Sequence, residues 1–192
     1  MGNGSVIDAI DELLMFKSTP IFVAIDGMCA SGKTTLANCL HDYYSKKGIE
    51  LNLFHMDDFF LRQEQRTGAR LHEVGGNVDY ERFQEEIIEP MCNNRVGEYR
   101  PYSCTSGEIL EGTPFVTKRI NIVEGSYSQH PFFTDIYNIR IYMETDAEEQ
   151  KRRILSRNGE KMLSRFVEEW IPKEKAYFDK YAIKSISMVV TT

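Results

Sequence analysis

The segment Gly27-Met28-Cys29-Ala30-Ser31-Gly32-Lys33-Thr34 constrains this chain more than any other. It fits GxxxxGK[ST] at every fixed position. It stands between an apolar run, Ile21-Phe22-Val23-Ala24-Ile25, and a segment with Leu36, Leu40, Tyr43 and Tyr44 at helical spacing. A loop poor in side chains can turn successive backbone N–H groups toward one point, and the helix that follows adds the positive end of its dipole. Strand, loop and helix in that order predict a cradle for a polyphosphate. Gly27, Ala30, Ser31, Gly32, Lys33, Thr34 and Thr35 would line it, with Lys33 as a mobile charge on the terminal phosphates and the Thr34 hydroxyl facing Mg²⁺. The motif leaves the fate of the phosphate open, because switches, motors and small-molecule kinases share it.

The rest of the chain alternates strand and helix patterns, which predicts an α/β layer architecture. Val6, Ile10, Leu13 and Leu14 predict a helix over 5–17, and Lys46, Lys47 and Gly48 end the helix after the loop. Leu51 to Met56 reads as a second strand and 57–78 as a long working loop. A helix starting at Asp79 carries Phe83, Ile87, Ile88 and Met91, and Tyr99 to Val116 suits a hairpin excursion. Ile120–Val123 and Ile139–Met143 are further strands. Asp146 and Glu149 resemble a capping box, a last helical region is disturbed at Pro172, and Ile186–Val190 ends the sheet.

With 192 residues there is room for one domain spanning 1–192. The net charge of −6 argues against a nucleic-acid partner but leaves room for a local anion site. No apolar run approaches the ~20 residues that span a bilayer, so no membrane partner is expected. The start Met1-Gly2-Asn3-Gly4-Ser5-Val6 is like a myristoylation signal except that Val6 stands where Ser or Thr belongs. Cys29, Cys39, Cys92 and Cys104 lack paired spacing and read as reduced thiols of a cytoplasmic protein.

Acidic and basic residues then mark an acceptor side. Asp57 and Asp58 end the second strand, the sheet edge where ligands bind, and a carboxylate there could take the proton of an attacking hydroxyl or merely serve as a solvated turn. Glu124 ends the third strand and could join Thr34 in holding Mg²⁺. Lys151, Arg152, Arg153, Arg157, Lys161 and Arg165 crowd one segment against the single acid Glu160. Arg153 and Arg157 share a helix face, and the segment 153–165 with Asn158-Gly159 suits a lid. Arg62 is a candidate acceptor contact, and His130 either lines the pocket or sits exposed in its loop.

Asp57-Asp58-Phe59-Phe60, Asn77-Val78-Asp79, Glu124-Gly125 and the arginine-rich segment after Asp146 together resemble the uridine kinase-like group of P-loop kinases. Nicotinamide riboside and pantothenate kinases are relatives of that group. The resemblance runs from about Ile21 to Val190. It implies a P-loop fold with a parallel five-stranded sheet in the order 2-3-1-4-5, a small hairpin and an arginine lid. It also implies transfer of the γ-phosphate of ATP or GTP to a primary hydroxyl, with uridine or cytidine as model acceptors. Residue by residue, Asp57 matches the acid–base position and Asp79 the position that holds ribose hydroxyls, where it also suits a helix N-cap. Arg153 matches a lid arginine, Arg157 and Arg165 align near it, and Tyr102 lies near a base-contacting aromatic. The chain departs from the pattern in having Ser103 and Cys104 after Tyr102, no hairpin histidine and a shorter lid. Other alcohols, a nucleoside monophosphate or a nucleotide-dependent switch remain alternatives.

Overall fold

The computed structural model describes residues 3–192, and of Asn3 the backbone only; the Met1-Gly2 start of the myristoylation-like motif lies outside the described residues. Helix α1 (Asn3–Phe16) leads into β1 (Ile21–Gly27), the phosphate loop and α2 (Lys33–Lys46). β2 (Leu51–His55) stops one residue short of expectation, because Met56–Phe59 turns as a 3₁₀ segment. The segment 57–78 is less irregular than its sequence suggests. It holds a second 3₁₀ turn (Gln63–Gln65) and α3 (Gly68–His72), and its ends meet at a Phe60–Val78 bridge.

The helix expected from Asp79 is α4 (Tyr80–Phe83), a π-helical turn Gln84–Ile88 and α5 (Glu89–Cys92) in succession. The hairpin excursion is two short antiparallel rungs, β3 (Gly97–Tyr99) on β6 (Thr113–Phe115) and β4 (Tyr102–Ser103) on β5 (Glu108–Ile109). β7 (Ile120–Glu124) and β8 (Ile139–Glu144) follow, then α6 (Ala147–Asn158), α7 (Glu160–Arg165) and α8 (Ile171–Lys180). A π-helical turn over Phe166–Trp170 precedes Pro172 in the first turn of α8 and is the disturbance the sequence signals. β9 (Met188–Thr191) begins later than expected, since Ile183–Ile186 forms a 3₁₀ turn closed by Ser187 Oγ donating to Ile183 O at 2.7 Å. At α6 only half of the capping box forms. Asp146 accepts from the N–H groups of Glu148 and Glu149, while the Glu149 carboxylate turns to Arg152 and Arg153 instead of back to the cap.

Five strands form one parallel sheet in the order β2-β7-β1-β8-β9, which is 2-3-1-4-5 when its strands are counted along the chain. Strand alternation divides the core. Ile21, Val23 and Ile25 with Ile120, Ile122, Ile139 and Ile141 face Val6 and Ile10 of α1 and Leu36, Leu40 and Tyr44 of α2. Val123 and Tyr142 face the other layer, where Phe83, Ile87 and Met91 meet Tyr177 and Phe178 of α8. A third, small cluster joins Cys29 of the phosphate loop to Ile154 and Phe166. Helices on both faces leave the C-terminal strand ends open as a ligand edge. No helix among the described residues is long and apolar enough to cross a membrane.

Candidate active site

Gly27 is the pivot of the loop. Its φ is 134°, and a Cβ there would lie 2.1 Å from the Met143 carbonyl oxygen of β8, so any side chain would break the sheet at its centre. The chain then turns through Ala30, at φ 57°, and Gly32, at φ 92°, into α2. α2 starts with no side-chain cap and no acid in its first turn, which leaves its dipole free for an anion. Lys33 lies folded over the loop, with Nζ donating to Gly27 O and Met28 O at 2.8 Å each and to Ser126 Oγ at 3.3 Å. Thr34 and Thr35 are exposed at the mouth.

Thr34 Oγ1 donates to Glu124 Oε1 at 3.0 Å. Two hard oxygen donors side by side at a phosphate cradle suit Mg²⁺, which takes few protein ligands and fills its octahedron with water and phosphate oxygens. Among the described residues there is no larger His, Cys, Asp or Glu cluster for a metal. Gly125 lets this strand end approach the next turn: at φ 127°, an added Cβ would sit 2.8 Å from Met56 Cβ. Asp57 stands on that turn with its side chain open to solvent. The crowded protein around it pushes its carboxyl above the ordinary value; Lys33 opposes this, and Glu124, Glu174 and Asp58 add to it. Asp58 is spent on structure, accepting a short hydrogen bond from Tyr99 Oη.

The other expected residues are distributed unevenly. Asp79 is buried and caps α4, accepting from Arg82 N at 3.2 Å and from Gln65 Nε2 at 2.8 Å. Arg62 reaches it through Gln65, whose Oε1 takes both N–H and Nε–H of Arg62. Tyr102 is buried where β4 packs near the 56–59 turn. Arg153 rests on the outside of the loop, donating to Ala30 O at 3.2 Å. Arg157 bonds its neighbour Asn158, and Arg165 covers Trp170 and reaches Glu169, so the lid arginines do not converge. His130 is not exposed. It is buried in an aromatic stack on Tyr80, 4.3 Å between centroids, and burial lowers its pKa to about 4. All four cysteines are unpaired, and Cys29 is buried, its thiol pushed up by burial and by Glu174.

Four site residues escape the sequence reading. His55 Nδ1 lies 2.6 Å from Glu124 Oε1, and that contact raises its pKa. Glu174 of α8 is buried and accepts from Cys29 N at 2.8 Å and from Ser126 Oγ at 2.6 Å. Asp26, completely buried, accepts from the N–H groups of Gly27, Tyr127 and Gln129 and from Tyr177 Oη, at 2.8–3.1 Å, and its burial pushes the pKa up to about 6. Arg82 braces the 56–59 turn, stacked on Phe59 and donating to Asp58 O at 3.0 Å. An acid inside an apolar strand was a usable signal for Asp26. His55 directly precedes the acidic turn. Glu174, between Lys173 and Lys175, looks like any solvated helix acid.

No protein-family model matches this sequence, and no curated protein matches it. Solved structures do. The chain is similar to a protein from Bacillus stearothermophilus assigned as a possible uridine kinase, with 20% identity and a TM-score of 0.68 over 98% of this chain and 100% of that one. It is similar to a protein from Silicibacter sp. assigned as a fructose transport system kinase, with 20% identity and a TM-score of 0.75 over 100% and 99%. It is also similar to the D-glycerate 3-kinase of Cryptococcus neoformans, with 14% identity and a TM-score of 0.64 over 92% and 87%. At such identities the likeness fixes the fold: an α/β P-loop architecture with a five-stranded parallel sheet.

Proposed function

We propose that this protein is a kinase that moves the γ-phosphate of ATP, or of GTP, to a hydroxyl of a small metabolite. One observation carries the reading. A solvent-open carboxylate, Asp57, stands at the sheet edge beside a complete phosphate cradle, and Lys33 and Glu124 are near enough to perturb it. A switch has no use for an acceptor base at that place. The similar solved structures are assigned as a possible uridine kinase, a fructose transport system kinase and a D-glycerate 3-kinase, which supports the class and leaves the acceptor open.

In this reading Lys33 leaves the Gly27 and Met28 carbonyls and bridges the terminal phosphates, while the free N-terminus of α2 holds them. Thr34 and Glu124 hold Mg²⁺, which when bound neutralises phosphate charge. Asp57 orients the acceptor hydroxyl and takes its proton as the phosphoryl group arrives. Because the transition state is loose, preorganised charge supplies most of the rate. The uridine kinase-like resemblance supports a nucleoside 5′-hydroxyl as acceptor, with Asp79 on the ribose and Tyr102 near the base. A ribose diol would then have to displace Gln65 Nε2 from Asp79 Oδ2. That closed carboxylate, with the Arg62 guanidinium held on the far side of Gln65, favours a second reading: an alcohol carrying an acid group.

The test is ADP release from ATP·Mg²⁺ with uridine, cytidine, nicotinamide riboside, pantothenate, glycerate and UMP offered singly, and the product identified by mass. One acceptor stimulating ADP release supports the kinase and names its class. Slow hydrolysis indifferent to every alcohol would favour a switch.

A further inference from the structure

Three consecutive carbonyls of the phosphate loop are bonded outward to the C-terminal part of the chain. Gln150 Nε2 donates to Cys29 O at 2.9 Å, Arg153 Nη1 to Ala30 O at 3.2 Å and Thr192 Oγ1 to Ser31 O at 3.1 Å. Glu174 Oε2 grips the loop again by accepting the Cys29 N–H at 2.8 Å. Arg153 is itself fixed, its Nε on Glu149 Oε1 at 2.7 Å and its Nη1 on Thr192 Oγ1 at 2.9 Å. Ile154 and Phe166 pack on Cys29, and the bonds to Cys29 N and O are buried.

In a planar trans peptide the C=O and the next N–H point opposite ways, so a carbonyl held outward turns the following N–H inward. Holding Cys29 O sets the N–H of Ala30 and holding Ser31 O sets that of Gly32, while the N–H between them, of Ser31, closes the loop on Met28 O at 3.2 Å. The backbone needs such support. Ala30 carries a side chain at φ 57°, a region that an L residue keeps only when its surroundings insist, and Arg153 grips Ala30's own carbonyl.

We propose that Gln150, Arg153 and Glu174 form a clamp that preorganises the phosphate loop, and that Arg153 is a positioning residue acting through the loop and not on the transferred phosphoryl group. The nucleotide half of this rests on the kinase reading; the structural half does not.

The experiment compares wild type, R153M, R153K, E174A and E174Q by amide hydrogen exchange of the ligand-free proteins and by calorimetric ADP binding. In R153M and E174A the 30–32 amides are expected to exchange about tenfold faster, with ADP bound about tenfold more weakly. R153K keeps one donor and E174Q keeps an acceptor for the Cys29 N–H, so both recover part of each loss. This recovery separates the clamp from general unfolding. Wild-type exchange and wild-type ADP affinity in R153M, with only turnover reduced, would overturn the proposal and return Arg153 to the phosphoryl group. If wild type binds no ADP, the kinase reading falls, and the exchange comparison still decides the clamp.

Discussion

At the scale of single residues the site sets two carboxylates against each other. In the proposed kinase, Asp57 would have to be ionised to take a proton, yet crowding and the neighbouring acids hold its pKa above the ordinary carboxylate value. The acid limb of kcat/KM should therefore lie above that value, with activity rising as pH rises through it. Asp57→Asn should remove this limb, keep ADP affinity and lower turnover by about 10²–10⁴, the usual contribution of a positioned base. Unchanged turnover would remove Asp57 from the chemistry. Asp26 is a different case. Both its oxygens face only donors, so an amide at that place turns an NH₂ toward two of them. Asp26→Asn should cost about 1–3 kcal/mol in a denaturant titration at pH 7. The sign with pH follows from the raised folded value of about 6. Between about 4, the unfolded value, and about 6 the native state holds more protons, so Asp26's contribution to stability falls as pH rises across that window and is flat above it. Asp26→Asn should lose this slope.

Among elements, α8 ties the halves of the site together. Glu174, Tyr177 and Tyr181 lie at i, i+3 and i+7 and so share a face. They bind in turn the phosphate loop, the end of β1 through Asp26, and the 57–78 loop through Val74 O. Helix patterns were legible because α1, α2 and α8 bury one apolar stripe each. The order inside the 57–78 segment was not, because its structure rests on side-chain-to-backbone bonds such as Arg70 to Val78 O and Gly76 O, which leave no period in the sequence. Asp79 shows how one residue serves two elements. As N-cap of α4, partner of buried Arg82 and acceptor from Gln65 Nε2, it should cost about 1–3 kcal/mol when changed to Ala, and less when changed to Asn, which keeps the cap oxygen but turns an NH₂ toward the Gln65 and Arg82 donors. A thermal melt of both variants checks this. A raised acceptor KM in the Asn variant, assayed well below its melting temperature, would add a binding role to the structural one.

For the whole molecule, the cradle was readable because it depends on local pattern, a buried apolar strand, a glycine-rich turn and a capless helix start, whereas the sheet order came only from the family resemblance. What could not be read is how a second half of the chain fastens onto that cradle. Arg153 and Arg157 share a helix face in sequence, but one reaches Ala30 and the other only Asn158, since Glu149 and Thr192 decide the first and Gly159 ends the helix after the second. The fold therefore makes the loop the meeting point of β1, α6, α8 and the end of β9, and a ligand there should stabilise the molecule as a unit. At ATP·Mg²⁺ 100-fold above its Kd the expected gain is about 2.7 kcal/mol, or a rise in Tm of about 5–11 °C for a chain of this size. Lys33→Ala should remove most of the rise, because the free N-terminus of α2 alone holds the phosphates weakly. Its ligand-free Tm should fall only modestly, since the Gly27 carbonyl it leaves keeps the Ser126 hydroxyl as a donor. A nucleotide-induced shift as large in Lys33→Ala as in wild type would mean that the triphosphate is bound somewhere other than this loop.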